Sequence, residues 1–281
     1  MIPLLPLGAQ FLHPGGPGCQ RLKTSYLNTY NAQVCGLKNP EAALCALEAG
    51  ADLLGLILVQ GSKRTVSIEQ AAAIVTAVKV KSAALGKRES GGVRMPDHSP
   101  GEDPVVWFKK GTGAMAEALA QNGRPLVVGV FQDQEPEFIN SAILIAGIDL
   151  VQLHGHEPAD FSGKINAPCI RVVHVPVGSD VTGVMAQLPP FVGGPIALLL
   201  DTQVAGVRGG TGLTFDWGLA AAVGSAGLPV LVAGGLSGEN VADALKACTP
   251  CWGVDASSGL ESEGEKDAAK VQGYVHAAKT A

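Results

Sequence analysis

The sequence predicts an α/β protein of the (β/α)8 barrel class, and three observations predict it. Eight short apolar runs recur along the chain, at 33–36, 53–59, 125–131, 149–153, 169–173, 196–200, 229–233 and 252–255. They are apolar without alternation, as parallel strands are when helices cover both faces of their sheet. Between them lie Ala-, Leu- and Glu-rich stretches with helical spacing, and eight strand–helix units in succession favour a closed barrel over an open doubly wound sheet. The third observation is size: one such barrel takes about 250 residues, so a chain of 281 residues holds one with a modest surplus.

Residues 1–31 form the first part of that surplus. Pro3, Pro6, Pro14, Gly15, Gly16 and Pro17 interrupt any amphipathic helix, and Arg21 and Lys23 stand there without an acid. The segment reads as a flexible N-terminal segment or linker rather than a transit peptide, which leaves 32–281 as a single barrel domain. The first two strands lead into helices at 40–49 and 67–80. A long insertion, about 81–124, then precedes the third strand; it carries Lys87, Arg88, Gly91, Gly92, Pro96, Pro100 and Pro104. Loops of this length are functional or disordered. Its polar, turn-rich first half favours disorder, and 114–121 favours an extra helix. Because the insertion follows a helix, it enters at the N-terminal face of the barrel, opposite the end that carries barrel chemistry. It is therefore expected to be a tolerated insertion. The later strands alternate with helices at 136–146, 157–164, 180–187, 216–225, 237–247 and 266–279.

Composition excludes several classes of function. Hydrophobic residues make up 47% and charged residues 16%, too apolar for a disordered chain. A net charge of −5 with 5% aromatics leaves no electrostatic footprint for nucleic acid. No run approaches the roughly 18 to 20 apolar residues of a membrane span, so the positive mean hydropathy points to buried strands. Six scattered cysteines are not a disulfide scaffold, and a reducing cytoplasm is the expected location. Cys248 and Cys251 form a C-x-x-C pair but lack the second ligand pair of a zinc site. No cluster in the sequence shows metal-ligand spacing, so no metal is expected. The glycines of 206–212 follow the sixth strand and are not a dinucleotide-binding fingerprint.

Barrel chemistry sits at the C-terminal ends of strands and in the loops that follow. Cys35 ends the first strand, Arg64 follows the second, His154 ends the fourth, Asp201 the sixth, Gly234 and Gly235 the seventh, and Asp255 the eighth, before Ser257 and Ser258. Either glycine-rich loop alone reads as a tight turn. Together, at adjacent strand ends, they predict a barrel of the phosphate-binding type, in which backbone N–H groups approach an anion. Asp201 emerges from the apolar run 196–200 into the barrel mouth, a place that favours a general acid; the blander reading is a helix cap. Cys35 is an inert filler or a base, depending on whether its neighbours favour the thiolate. Arg64 offers a fixed cation and a fork suited to a carboxylate or phosphate, while Lys63 reads as a solvated charge. His154 reads as a structural or substrate-lining group, and His156 and His174 have no partner legible in the sequence.

The motifs in order resemble the phosphoribosylanthranilate isomerase family of tryptophan biosynthesis. They are Val34-Cys35-Gly36-Leu37, Ser62-Lys63-Arg64-Thr65-Val66, Val151-Gln152-Leu153-His154-Gly155, Leu199-Leu200-Asp201, Gly209-Gly210-Thr211-Gly212, Ala233-Gly234-Gly235-Leu236 and Gly253-Val254-Asp255-Ala256-Ser257-Ser258-Gly259. The likeness covers about 33–281. It implies an Amadori rearrangement of N-(5-phosphoribosyl)anthranilate to 1-(2-carboxyphenylamino)-1-deoxyribulose 5-phosphate, with no cofactor. By the same resemblance Asp201 is the general acid, Cys35 the general base and Arg64 the group that holds the anthranilate carboxylate. His154 and Asp255 line the site, and Gly210, Gly234, Gly235, Ser257 and Ser258 bind substrate and its phosphate. The chain departs from the family at Gln33, where a basic residue is usual, and at Ala256, where valine is usual. The 81–124 insertion resembles the fungal branch, in which this isomerase is often the last domain of a multifunctional protein. Two other readings compete with this one. A sister barrel such as indole-3-glycerol-phosphate synthase needs a catalytic lysine at a strand end, which none of the eight runs supplies. A non-catalytic phosphosugar-binding barrel is expected to lose Cys35 or Asp201, and both are present.

Overall fold

The computed structural model describes residues 30–87, 91–176, 179–203 and 217–281. Eight parallel strands close into a barrel in sequence order: β1 (Asn31–Cys35), β2 (Leu53–Ile57), β3 (Leu126–Phe131), β4 (Leu150–Leu153), β5 (Cys169–Pro176), β6 (Ala197–Gln203), β7 (Val230–Val232) and β8 (Gly253–Ala256). The seam closes where β8 pairs with β1, with Gln33 opposite Asp255. Leu53, Leu54, Leu126, Val127, Leu150, Val151, Leu198 and Leu199 are fully buried whichever face they point to, which is why these strands read as continuous apolar runs. Each such side chain contributes about 1.5–3 kcal/mol through burial.

The outer layer is α1 (Pro40–Ala49), α2 (Ile68–Ala84), α4 (Pro136–Ala146), α5 (Val181–Met185), α6 (Trp217–Ser225), α7 (Val241–Cys248) and α8 (Ala268–Thr280). Local chemistry sets their starts. Ser67 and Gln70 form a reciprocal capping box at the head of α2, and the Asn39, Asp180 and Asp267 side chains accept from the first turns of α1, α5 and α8. The helix expected at 157–164 is instead a single 3₁₀ turn, Phe161–Lys164. Pro158 and Gly163 weaken the helix there, and Glu157 turns inward, where it accepts from the backbone N–H of Gly155 and pairs with Arg171 at 2.9 Å. That side chain binds nearby backbone in competition with a helix.

The insertion contributes a helix longer than the one expected at 114–121. α3 runs Pro104–Asn122, capped by Asp103, with Trp107, Phe108 and Met115 fully buried. Its partners precede barrel strands: Trp107 donates to the carbonyl of Pro195 at 2.7 Å, and Val105 packs against Gly227. So α3 lies at the N-terminal face of the barrel. A cavity of about 1040 Å³ opens beside it, lined by Tyr30, Asp52, Leu119, Cys251, Trp252 and Lys279, and none of the candidate site residues lines it. Residues 91–103 have no helix or strand, yet they are not loose as their composition suggests. Val93 is buried, Gly91 O accepts from Asn122, Asp97 O accepts from Lys110, and His98 packs edge-on against Trp107. Among the described residues, no helix is long and apolar enough to cross a membrane.

Candidate active site

Cys35 ends β1 at the C-terminal mouth and is 5% exposed. Two glycines make its place. A Cβ on Gly55 of β2 would lie 2.7 Å from Cys35 Sγ, and Gly36 takes a left-handed φ of +78°, where a side chain would strike Arg64 and Ser257. Burial pushes the Cys35 thiol well up, and the neighbouring Asp255 adds to this; Lys266, the Gln33 amide and the Gly36 backbone act in the opposite sense.

Asp201 lies in β6, opposite His174 of β5 in the strand register, and is 6% exposed. Its Oδ2 is 3.3 Å from His154 Nε2. His174 packs edge-on against His154 at 5.2 Å and donates from Nε2 to the His154 carbonyl at 3.1 Å. Burial, then the neighbouring His154, holds the His174 imidazole below its usual range. Across the mouth, Asp255 of β8 is buried and pushed up to about 7, first by desolvation and then by the Asp201 charge. Among the described residues, Asp255 Oδ1 has no hydrogen-bond partner. Beneath these groups two neutral amides meet inside the barrel: Gln33 donates to Gln152 Oε1 at 3.0 Å, and Gln152 Nε2 lies 3.3 Å from His154 Nδ1.

The cations are arranged less simply than the sequence suggests. Arg64 spends two of its N–H groups on Glu261, at 2.6 and 2.8 Å, so its fork already faces a carboxylate of the chain. Lys266 joins the same carboxylate at 2.6 Å and donates to the Ser257 carbonyl at 3.0 Å. Glu261 and Lys266 come from a short antiparallel hairpin, β9 (Glu261–Ser262) and β10 (Glu265–Lys266), placed directly after β8. The hydrogen bond from Arg64 to Glu261 raises the guanidinium further. Burial pushes Glu261 up, but the two cations outweigh it and hold its carboxyl below the usual range. Burial lowers Lys266, against the pull of Glu261.

The two glycine- and serine-rich loops meet as one cradle. Gly234 and Gly235 take φ of +98° and +63°, conformations that suit glycine. A Cβ on Gly259 would lie 2.1 Å from the Leu236 carbonyl, so only glycine allows the loops after β7 and β8 to touch. Ser257 Oγ is buried there without a partner among the described residues, and Ser258 opens a 3₁₀ turn, Ser258–Leu260. Asn240 holds the first loop by donating to Gly235 O and accepting from Ser237 N.

Cys35, Asp201, His154, Asp255, Arg64, Gly234, Gly235, Ser257 and Ser258 thus lie at strand ends or following loops of one mouth, while Gly210 lies outside the described residues. Lys266, Glu261 and Gln152 stand at the same mouth without being singled out by the sequence, and His174, noted there without a partner, joins them. A Glu and a Lys beyond the last strand look like solvated charges, and only the hairpin makes them half-buried; Gln33 is visible in the sequence as a departure from the family, without a partner. Folding also brings His154, His174 and Asp201 together with ligand atoms within 4.8 Å of one another, a grouping that linear spacing does not reveal and that has the donor types for a divalent cation. In this structure His174 Nε2 is engaged by the His154 carbonyl and His154 Nε2 faces Asp201. Cys248 and Cys251 are free thiols with Sγ atoms 3.1 Å apart, just before β8 and so at the other end of the barrel.

A family profile described as N-(5'phosphoribosyl)anthranilate (PRA) isomerase matches residues 108–277. A tryptophan biosynthesis protein of Phytophthora nicotianae is 41% identical over 256 residues, which is 88% of this chain and 46% of that protein. A multifunctional tryptophan biosynthesis protein of Phycomyces blakesleeanus is 35% identical over 88% of this chain and 32% of its own length. The chain therefore spans about half or less of these two relatives. The N-(5'-phosphoribosyl)anthranilate isomerase of Dehalococcoides mccartyi is 32% identical over 89% of this chain and 95% of its own. Among solved structures, phosphoribosyl anthranilate isomerase from Thermotoga maritima superposes with a TM-score of 0.64 at 28% identity, covering 90% of this chain and 100% of that one. A phosphoribosyl anthranilate isomerase in complex with reduced 1-(o-carboxyphenylamino)-1-deoxyribulose 5-phosphate superposes at 0.62 with 26% identity, over the same shares of the two chains.

Proposed function

The chain belongs to the N-(5'-phosphoribosyl)anthranilate isomerase family, and on that premise we propose that it converts N-(5-phosphoribosyl)anthranilate to 1-(2-carboxyphenylamino)-1-deoxyribulose 5-phosphate in tryptophan biosynthesis. The observation that carries the reading is the pairing of two buried proton-transfer groups, Cys35 and Asp201, on separate strands of one mouth beside a glycine- and serine-lined cradle. Asp201 gives a proton to the furanose ring oxygen; the C1′–O bond breaks and the anthranilate nitrogen becomes a Schiff base. The Cys35 thiolate then takes the C2′ proton, leaving an enolamine that tautomerises to the ketone. Each such positioned acid or base contributes about 10²–10⁴-fold in rate.

Substrate binding divides by charge. The phosphate is assigned to the backbone N–H groups around Gly210, Gly234, Gly235, Ser257 and Ser258, with the orphaned Ser257 hydroxyl as a further donor. The anthranilate carboxylate is assigned to the Arg64 side. Two cations share one Glu261 carboxylate there, which leaves an excess positive charge for an incoming anion. His154 and Asp255 line the space between.

The same unit fills nearly all of the Dehalococcoides mccartyi relative and about a third of the Phycomyces blakesleeanus one. Residues 32–281 are accordingly assigned to one isomerase domain, with 1–31 as a segment before it and 81–124 as its insertion. A cytoplasmic site of action, alone or within a larger tryptophan-pathway protein, goes with this reading. Expression of the whole chain in a tryptophan auxotroph lacking the isomerase tests it. Growth without tryptophan is expected, and no growth despite folded protein in the cell overturns it.

A further inference from the structure

Gln33, Gln152, His154 and Asp201 form one hydrogen-bonded line from β1 through β4 to β6. Gln33 Nε2 donates to Gln152 Oε1 at 3.0 Å, Gln152 Nε2 meets His154 Nδ1 at 3.3 Å, and His154 Nε2 meets Asp201 Oδ2 at 3.3 Å. Gln33 is 0% and Gln152 1% exposed, in a type of barrel whose interior is dominated by branched apolar residues. Buried amides cost free energy unless their polar atoms are bonded; the Gln33 NH₂ end bonds Gln152 and also the Asp255 carboxyl, which holds that end in place, while Gln33 Oε1 is buried with no partner among the described residues.

The line has a direction. A primary amide has one acceptor and one donor end. Because Gln33 donates to Gln152 Oε1, the NH₂ end of Gln152 is held toward His154. A donor facing Nδ1 requires that nitrogen to accept, so in a neutral ring the proton sits on Nε2, aimed at Asp201. Resting on the isomerase reading above, we propose that Gln152, held by Gln33, is a positioning residue for the rearrangement: it fixes the Nε2–H tautomer of His154, which occupies one carboxyl oxygen of Asp201 and leaves the other to deliver the proton to the ring oxygen. Among the described residues, the other groups near His154 are His174 from β5, bonded to the His154 carbonyl, and Asp255 from β8. Neither is bonded to Nδ1, so Gln152 sets the Nδ1 side of the ring while Asp201 meets the Nε2 side.

The test joins a tautomer readout to kinetics. In the full chain labelled with ¹⁵N-histidine, with His154→Asn for assignment, the His154 ring is expected to carry its proton on Nε2. Gln152→Leu is expected to give mixed tautomers and a kcat lower by about 10–100-fold, because a misplaced proton donor costs on that order, with KM changed less than about threefold. Gln33→Leu is expected to act in the same direction more weakly, while Gln33→Lys, a donor-only side chain, keeps the tautomer and most of kcat. The Gln33 pair keeps the proposal falsifiable should Gln152→Leu not fold. An Nδ1–H tautomer in the wild type, or an unchanged tautomer and kcat in Gln152→Leu, overturns the inference. A wild type that holds the Nε2–H tautomer without turnover fails the isomerase reading instead.

Discussion

Arg64 and Glu261 close a bidentate ion pair, 2.6 and 2.8 Å, that joins the loop after β2 to the hairpin after β8. Lys266 completes it from β10, so two cations and one carboxylate stand beside the strand end that carries Cys35. The pair thus joins two functions: it closes the mouth across the barrel seam, and it leaves positive charge next to the thiol.

Removal of that carboxylate tests the first function. Glu261→Gln leaves Arg64 and Lys266 with a neutral partner in a partly buried place, so the protein is expected to be about 1–3 kcal/mol less stable. Urea unfolding measures it, and unchanged stability contradicts a closing role for the pair.

Removal of the lysine tests the second. Lys266 is the group whose charge most favours the Cys35 thiolate, against burial and Asp255, which push the thiol up. Lys266→Met should raise the pH at which the thiolate forms. For every pH unit by which thiolate formation moves up, kcat/KM falls about tenfold at neutral pH, and it recovers as pH rises. Lys266→Arg should retain most of the neutral-pH rate. A loss of equal size at every pH contradicts this role. So does an unchanged thiolate absorbance titration measured as the difference from Cys35→Ala.

The buried carboxyl of Asp255 predicts a pH dependence of stability. Its folded-state value is raised to about 7 from the ordinary 3.8. The folded protein keeps a proton that the unfolded chain releases between these values, so this contribution is full below about pH 4 and is lost as pH rises through 7. Asp255→Asn should flatten stability between pH 4 and 7 and be more stable than wild type at pH 8, by about 1–4 kcal/mol. Parallel unfolding curves for the two proteins at pH 5 and pH 8 contradict the assignment.

The insertion helix is predicted to be part of the barrel's support. A Cβ on Gly111 of α3 would lie 1.9 Å from the carbonyl of Ile196, immediately before β6. Gly111→Ala should therefore destabilise the fold by about 1–3 kcal/mol through overpacking, despite alanine's better helix propensity. An equal or greater stability shows that α3 packs loosely.

The barrel is legible in the sequence because doubly buried strands leave an apolar signature that no helix masks, and Cys35, Asp201 and Asp255 are legible because a strand end in this fold is a place with a meaning. What does not show depends on contacts that composition does not encode. Pro158 and Gly163 alone do not rule out a helix at 157–164; the bonds of Glu157 to the backbone of Gly155 do. Residues 91–103 look unstructured because their order comes from α3, through Asn122 and Lys110. Arg64 reads as a free fork, since Glu261 lies 197 positions away. Gln152 sits inside a motif whose histidine draws attention, and its partner Gln33 is visible only as a departure; the bond between them is a fact of the closed barrel.

The central claim is that Asp201 and Cys35 act as acid and base on one substrate, and the most direct measurement is turnover of N-(5-phosphoribosyl)anthranilate by the wild-type chain, Asp201→Asn and Cys35→Ala, each verified as folded. The wild type is expected to form 1-(2-carboxyphenylamino)-1-deoxyribulose 5-phosphate, with kcat lower by about 10²–10⁴-fold in either variant and binding of the reduced product analogue retained. Wild-type rates in both variants, or no product from the wild type, contradict it.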